Sequence, residues 1–248
     1  MRGGDNALLE FRGVSKSFGG LQAVADLSLT VAKGEIVGLI GPNGAGKSTV
    51  FNLATGSMKP DMGQIIFKDR DITGLPPYAT CRRGVARTFQ LVRTFNRLTA
   101  VENVMAGRAY GSLPATSIRQ ARTEAEEILE IAGLSDKRSL PASSLGLIDR
   151  KRLEIARALA TKPQLLLLDE MFAGLSGVEI DDSIVMAKGI RDTGVTIIVV
   201  EHVMKVIMGI SDRVVVMAVG RKIADCSPLE VMKNERVIKA YLGNRVVC

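Results

Sequence analysis

An α/β fold with a helical segment set into it is what the sequence predicts, on three observations. Two short apolar runs, Ile36–Ile40 and residues 165–168, have the length of buried parallel strands, and each ends in residues suited to phosphate or metal chemistry. Between them, over residues 98–160, the apolar positions recur at helical spacing, as in Ile118, Ala121, Ala125, Ile128, Leu129 and Ala132. Beyond the second run, strand and helix patterns alternate again. A chain of 248 residues suits one large α/β domain of this kind, or one with an inserted lobe, and can bury a substantial core without staples.

Taken in order, the N-terminal part reads as strand: Leu27, Leu29 and Val31 alternate with Asp26, Ser28 and Thr30, the two-residue period of a half-buried strand. Lys33-Gly34-Glu35 is a turn, and Ile36–Ile40 follows. A glycine-rich loop comes next, then a helix over residues 47–55 that stops at Gly56. Gly133 and Pro141 punctuate the helical segment. Thr196–Val200 is a further buried-strand run, separated from residues 165–168 by a helix over about 178–191, and residues 213–225 read as a hairpin about Gly220. Ser227-Pro228-Leu229-Glu230 starts a helix, with Ser as cap, Pro at the first helical position and Glu three residues after the cap. There is no internal repeat and no low-complexity segment.

The loop after Ile36–Ile40 carries the first chemistry. Gly41-Pro42-Asn43-Gly44-Ala45-Gly46-Lys47-Ser48-Thr49 fits GxxxxGK[ST], placed between a strand and a helix as that motif requires. Its glycines let the backbone wrap closely, so that N–H groups point at phosphate oxygens, and the helix start adds the positive end of its dipole. Lys47 is expected to reach the β- and γ-phosphates, and Ser48 to ligate Mg²⁺ with Thr49 nearby. The second half of such a site is the run ending in Asp169-Glu170. An acid at the carboxyl end of a parallel strand points into the crevice where ligands bind. Asp169 is suited to hold Mg²⁺, and Glu170 to polarise an attacking water as general base. His202, the single histidine, follows Thr196–Val200 at another strand end and is read as a γ-phosphate sensor.

Composition narrows the classes. The net charge of +7 fits nucleotide phosphates, an anionic membrane face or nucleic acid, but the basic residues are scattered, with local clusters only at Arg82-Arg83 and Arg150-Lys151-Arg152. Aromatic residues are 4%, with little interleaving among the basic ones, and Trp is absent, so neither nucleic-acid binding nor a carbohydrate platform is expected. No run approaches the roughly 18 apolar residues of a membrane span. Residues 1–11 lack the apolar stretch of a signal peptide, so a cytoplasmic protein is expected. Cys81, Cys226 and Cys248 are widely spaced and read as reduced, incidental thiols.

These motifs in this order resemble the nucleotide-binding subunits of ABC transporters over nearly the whole chain. The resemblance implies a P-loop NTPase (RecA-like) core with an N-terminal antiparallel β subdomain, in which residues 1–97 and 160–248 form the nucleotide-binding part and 98–159 the inserted helical subdomain. It implies ATP and Mg²⁺ as ligands. Gln90, in Arg87-Thr88-Phe89-Gln90, matches the glutamine that contacts Mg²⁺ or the attacking water and senses the membrane subunit. Phe18 matches an aromatic that stacks on adenine, with a core phenylalanine as the competing reading. Ala173-Gly174-Leu175-Ser176 matches the D-loop, with Ser176 in place of the frequent Asp. Residues 87–90, 98–104, 152–159 and 237–243 are similar to ATPases of the branched-chain, or hydrophobic, amino-acid uptake systems. That branch implies a second ABC ATPase subunit, two membrane permease subunits and a periplasmic solute-binding protein, with this chain peripheral on the cytoplasmic face of the inner membrane. It places residues 91–96 in the groove that receives a permease coupling helix.

The chain departs from the family at its signature. Counting back from Arg152-Leu153-Glu154-Ile155-Ala156, the signature position holds Leu145-Gly146-Leu147-Ile148-Asp149, so that Gly146 replaces the usual Ser and Ile148 the usual second Gly. Met171 stands where a proline commonly follows the catalytic Glu. Because each site in the family joins one subunit's phosphate loop to the other's signature, an asymmetric pair is expected: a partner with an intact signature completes a site on this chain. Slow hydrolysis by the isolated chain, restored by a partner, is the expected consequence. The alternatives are a non-transport ABC ATPase acting on nucleic acid or ribosomes, which the single module and the lack of a basic tail disfavour, and a P-loop kinase or GTPase, which the motif order and the absence of an Asn-Lys-x-Asp sequence disfavour.

Overall fold

The structure is a computed structural model of the chain and describes residues 7–242. Cys248, Gly243 and residues 1–6, on which three of the readings above fall, lie outside the described residues. In chain order the elements are β1 (Ala7–Phe18), β2 (Leu21–Ala32), β3 (Ile36–Ile40), α1 (Lys47–Ala54), β4 (Met62–Phe67) and β5 (Arg70–Asp71). Then come α2 (Pro77–Arg82), β6 (Val85–Arg87), α3 (Ala100–Arg108), α4 (Ile118–Ile131), α5 (Leu147–Leu159), β7 (Leu165–Asp169) and α6 (Gly177–Asp192). The chain closes with β8 (Thr196–Val200), α7 (Met204–Ile210), β9 (Arg213–Ala218), β10 (Arg221–Cys226), α8 (Pro228–Val231) and α9 (Glu235–Leu242).

Two compact units result, Met1–Pro77 with Thr196–Cys248, and Tyr78–Val195. In the first, β1 pairs antiparallel with both β2 and β4, and β4 with β5. The alternation read at residues 26–31 is the burial pattern of β2, whose Leu27, Leu29 and Val31 are all at most 3% exposed. A second sheet in this unit has β3 between β8 and β9, parallel to both, with β10 antiparallel on β9. All five residues of β3 and of β8 are buried, which is why these segments are apolar rather than alternating, apart from Thr196, whose hydroxyl accepts the Gly34 N–H at 2.8 Å.

The second unit holds the helical segment together with β6, β7 and α6. The helical core is formed by Val104, Leu129, Leu153 and Ala156 among others, each fully buried and supplied by the helical spacing of α3, α4 and α5, with Leu134 of the connecting segment packed among them. Helix starts are fixed by side chains: Thr99 with Glu102, Ser176 with Glu179 and, in the first unit, Ser227 with Glu230 form reciprocal capping boxes. Each Ser or Thr cap contributes about 1 kcal/mol. β7 lies parallel to β6, with Arg87 level with Leu167. Among the described residues no helix is long and apolar enough to cross a membrane. Cys81 and Cys226 are free thiols.

Candidate functional site

The loop that follows β3 has a backbone only glycine accepts at three points. Gly41, Gly44 and Gly46 have φ of 152°, 79° and 99°. A Cβ at Gly41 would stand 2.2 Å from the carbonyl oxygen of Met217, and one at Gly46 2.3 Å from that of Ala23. The loop is also pinned from behind: Gly220 donates its N–H to Ala45 O at 3.2 Å and accepts from Ala25 N–H at 2.8 Å. The Tyr241 phenol of α9, pushed up by burial, accepts from the Gly41 N–H. Gly46 caps α1 without a side-chain acceptor, so the helix start presents its N–H groups to a ligand rather than to its own cap. Lys47 folds back across the loop, its ammonium donating to Gly41 O at 2.7 Å and Pro42 O at 3.1 Å. Asn43, Gly44 and Ser48 are exposed, and Ala45 is buried beneath them.

Two further residues belong to this unit. β8 runs beside β3 with Val200 level with Leu39, so the loop entered at Gly41 and His202 leave adjacent parallel strands at the same end. His202 is exposed, and its N–H is accepted by the buried Glu201 carboxylate at 3.3 Å. Phe18 ends β1, a residue 45% exposed, with the Lys16 ammonium 5.8 Å from the ring centre. The competing reading of Phe18 as a core residue therefore fails, and the ring is open to stack on a planar ligand.

In the other unit, β7 delivers Asp169, 4% exposed, and Glu170 after it. Glu170 has φ of 50°, a left-handed conformation that costs a residue with a side chain about 1–3 kcal/mol and that clusters at functional sites. Its carboxylate accepts from Gln90 Nε2 at 2.7 Å. Three residues singled out in the sequence, Gln90, Asp169 and Glu170, thus come together. Two more hold them that sequence reasoning did not single out. Arg87 Nη2 donates to Asp169 Oδ2 at 2.6 Å, and Thr88, fully buried, donates its N–H to Leu167 O and accepts the Asp169 N–H on its hydroxyl at 3.2 Å. The signal for both was their place just before Gln90, Arg87 at the end of β6 and Thr88 directly after it.

The degenerate signature is the start of α5. Gly146 is its cap, extended and without a side-chain bond, and a Cβ added there would meet nothing within 4 Å. Leu147 is 65% exposed, and Asp149, in the first turn, is held by the Lys137 ammonium at 2.8 Å. Ser176 caps α6 where the family's frequent Asp would serve the same end. Met171, in the frequent proline's place, is buried.

Magnesium suits the donors present. The Ser48 hydroxyl in the first unit, and the Asp169 carboxylate and Gln90 amide in the second, are each hard oxygen donors, the kind Mg²⁺ takes. Among the described residues no cluster of three or more His, Cys, Asp or Glu forms a metal cage. Mg²⁺ bound with substrate phosphates needs only one or two protein carboxylates.

A family model described as ABC transporter matches residues 24–173, and one described as branched-chain amino acid ATP-binding cassette transporter matches residues 221–247. The chain is 43% identical over 251 residues to the high-affinity branched-chain amino acid transport ATP-binding protein LivG of Salmonella typhimurium, covering 95% of this chain and 98% of that protein. It is 41% identical to BraF of Pseudomonas aeruginosa, which carries the same description, over 95% and 98% of the two chains. The lipopolysaccharide export system ATP-binding protein LptB of Escherichia coli is 37% identical over 96% and 98%. Among solved structures, the ADP conformation of MJ1267, an ATP-binding cassette of an ABC transporter, matches with a TM-score of 0.88 and 30% identity over 97% of this chain and 100% of that one. The α/β P-loop NTPase fold expected from the sequence is the fold found, and the reading as an ATPase acting on nucleic acid or ribosomes does not fit relatives of this kind. The chain belongs to the ABC transporter ATP-binding proteins, nucleotide-hydrolysing subunits of transporters, on the branch shared with the branched-chain amino acid transport members.

Proposed function

We propose that this chain binds and hydrolyses ATP with Mg²⁺ to drive an importer for branched-chain or other hydrophobic amino acids, or related small organic solutes. The observation that carries the reading is the contact of Gln90 with Glu170, directly after the buried Asp169 on β7. Residues 41–49 bind the triphosphate, Phe18 stacks on the base, and Lys47 exchanges its loop carbonyls for β- and γ-phosphate oxygens. Ser48, Asp169 and Gln90 would supply oxygens to Mg²⁺, whose charge would offset that of the phosphates. Glu170 takes the proton of the attacking water, Gln90 orients that water, and His202 donates to the γ-phosphate.

The transport path lies in other chains: two membrane permease subunits and a periplasmic solute-binding protein, with this subunit peripheral on the cytoplasmic face of the inner membrane. No nucleic acid is involved. A second ABC ATPase subunit completes the catalytic unit. The start of α5 supports a heterodimer, since Gly146 offers no hydroxyl where an anion is to be met. Phosphate release by the complex isolated from membranes, measured with and without the solute-binding protein loaded with leucine or with a charged amino acid, tests the reading. Stimulation by the leucine-loaded form is expected. A complex that lacks permeases, or turnover indifferent to the loaded binding protein, would overturn the transport role.

A further inference from the structure

Gln90 sits in residues 88–98, which join β6 to α3 without regular secondary structure. A catalytic side chain on such a segment needs an external hold. Glu154 of α5 provides one. It is 2% exposed, and its two carboxylate oxygens accept the Phe89 N–H at 2.7 Å and the Arg93 N–H at 3.1 Å. These amides flank Gln90, Leu91 and Val92, so a single carboxylate closes the bight that carries Gln90.

Packing does not ask for an acid here. Leu153, Ile155 and Ala156 beside it on α5 are buried and apolar, and burial pushes the Glu154 carboxyl up, against the pull of the two amides and of Arg157 and Arg93. A buried carboxylate is tolerated only where its hydrogen bonds are made, and both are spent on this segment. One turn earlier on the same face, Lys151 is also buried and donates to Ala173 O at 2.7 Å, in the segment that follows Glu170. One helix face therefore grips the chain on both sides of the Gln90–Glu170 contact.

We propose that Glu154 is the positioning residue for that contact, clamping the amides on either side of Gln90 so that its side chain meets Glu170. The proposal rests on the ATPase reading of Gln90 and Glu170. Glu154→Gln keeps size and shape but leaves one oxygen for two N–H groups. It is expected to speed amide hydrogen exchange at Phe89 and Arg93 by roughly 10–100-fold. It is also expected to lower kcat about tenfold with the KM for ATP within about twofold, since the phosphate loop is untouched. Combined with Gln90→Ala, it should lower kcat no further, because the two act through one contact.

Unchanged exchange at Phe89 and Arg93, or losses in kcat that multiply in the double variant, would overturn the proposal. Should Glu154→Gln not fold, the wild-type chain decides: slow exchange of these two amides against fast exchange at Gln90 and Leu91 is expected, and equal rates at all four sink the clamp. Turnover by the wild-type chain together with its partner ATPase, measured first, keeps the two ideas apart. A wild type without it removes the ATPase reading, and the exchange data still judge the clamp.

Discussion

Arg87 and Asp169 form a buried ion pair, Nη2 to Oδ2 at 2.6 Å, with 11% and 6% of the side chains exposed. The carboxylate suited to hold Mg²⁺ therefore already has a cation on one oxygen. That partner fixes the rotamer of Asp169 and offsets the cost of its burial. Removing one member of a buried pair costs about 3–5 kcal/mol, because the other is left charged and unpaired. Arg87→Met, close in length and neutral, is expected to lower the Tm of the nucleotide-free chain by several degrees. Mg²⁺ would then give Asp169 back a cation, so MgATP should raise the Tm of the variant more than that of the wild type. Thermal denaturation with and without MgATP reads both. An equal ligand-induced shift in the two proteins would mean that Arg87 has no bearing on Asp169 as a metal ligand.

Glu170→Gln preserves the size of the side chain and its acceptor for Gln90 Nε2, but not the basicity the reaction needs. ATP affinity is expected within a few-fold of wild type and turnover reduced by roughly 10²–10⁴-fold. Equilibrium titration beside single-turnover phosphate release separates the two effects. Hydrolysis at the wild-type rate would rule Glu170 out as the base.

What the sequence made legible follows a physical division. β3 is found at the bounds read from the sequence because a fully buried strand must be apolar along its whole length, and a turn and a glycine loop bracket it. The phosphate loop was legible because its glycines are a backbone requirement local to nine residues. The short helices α2 and α7, of six and seven residues, carry too few turns for a helical period to show. Arg87 and Glu154 were in plain view, yet their partners lie 82 residues away in Asp169 and 65 away in Phe89. Nothing local tells a buried, paired charge from a solvated one. Phe18 was undecided for the same reason, and only its 45% exposure settles it against the core.

Gly146→Ser tests the asymmetry directly. A Cβ at this position meets nothing within 4 Å and φ is −64°, so the substitution carries no steric cost and stability should stay within about 0.5 kcal/mol. The hydroxyl returns a donor at the start of α5. Mixed with an ATPase partner whose own phosphate loop is intact, the variant is expected to raise total turnover several-fold over the wild-type mixture. The expected gain is specific to the partner's site, so it should survive when this chain also carries Glu170→Gln. No gain in either background would show that the missing hydroxyl is not what limits the second site.

Glu124 links stability of the helical segment to pH. Burial raises its carboxyl, but the hydrogen bonds from Gln120 and Lys162 and the ion pair with Arg108 at 2.7 Å outweigh that and bring it down to about 2, from an ordinary 4.5. Arg108 is 2% exposed, so Glu124 also neutralises a buried cation that joins α3 to α4. A carboxyl lowered on folding contributes stability that is complete above its unfolded value and is lost as pH falls through the folded one. Here the window runs from about 4.5 down to about 2. After allowance for solvent screening at a side chain 19% exposed, the contribution at pH 7 is about 1–2 kcal/mol. Glu124→Gln should therefore be less stable than wild type by that amount at pH 7, and the gap should narrow steadily between pH 4.5 and pH 3 as the unfolded wild-type chain takes up a proton that the folded carboxylate still refuses. Urea unfolding of both proteins across this range measures the gap, and a difference that stays constant with pH would show that Glu124 acts by shape and not by charge.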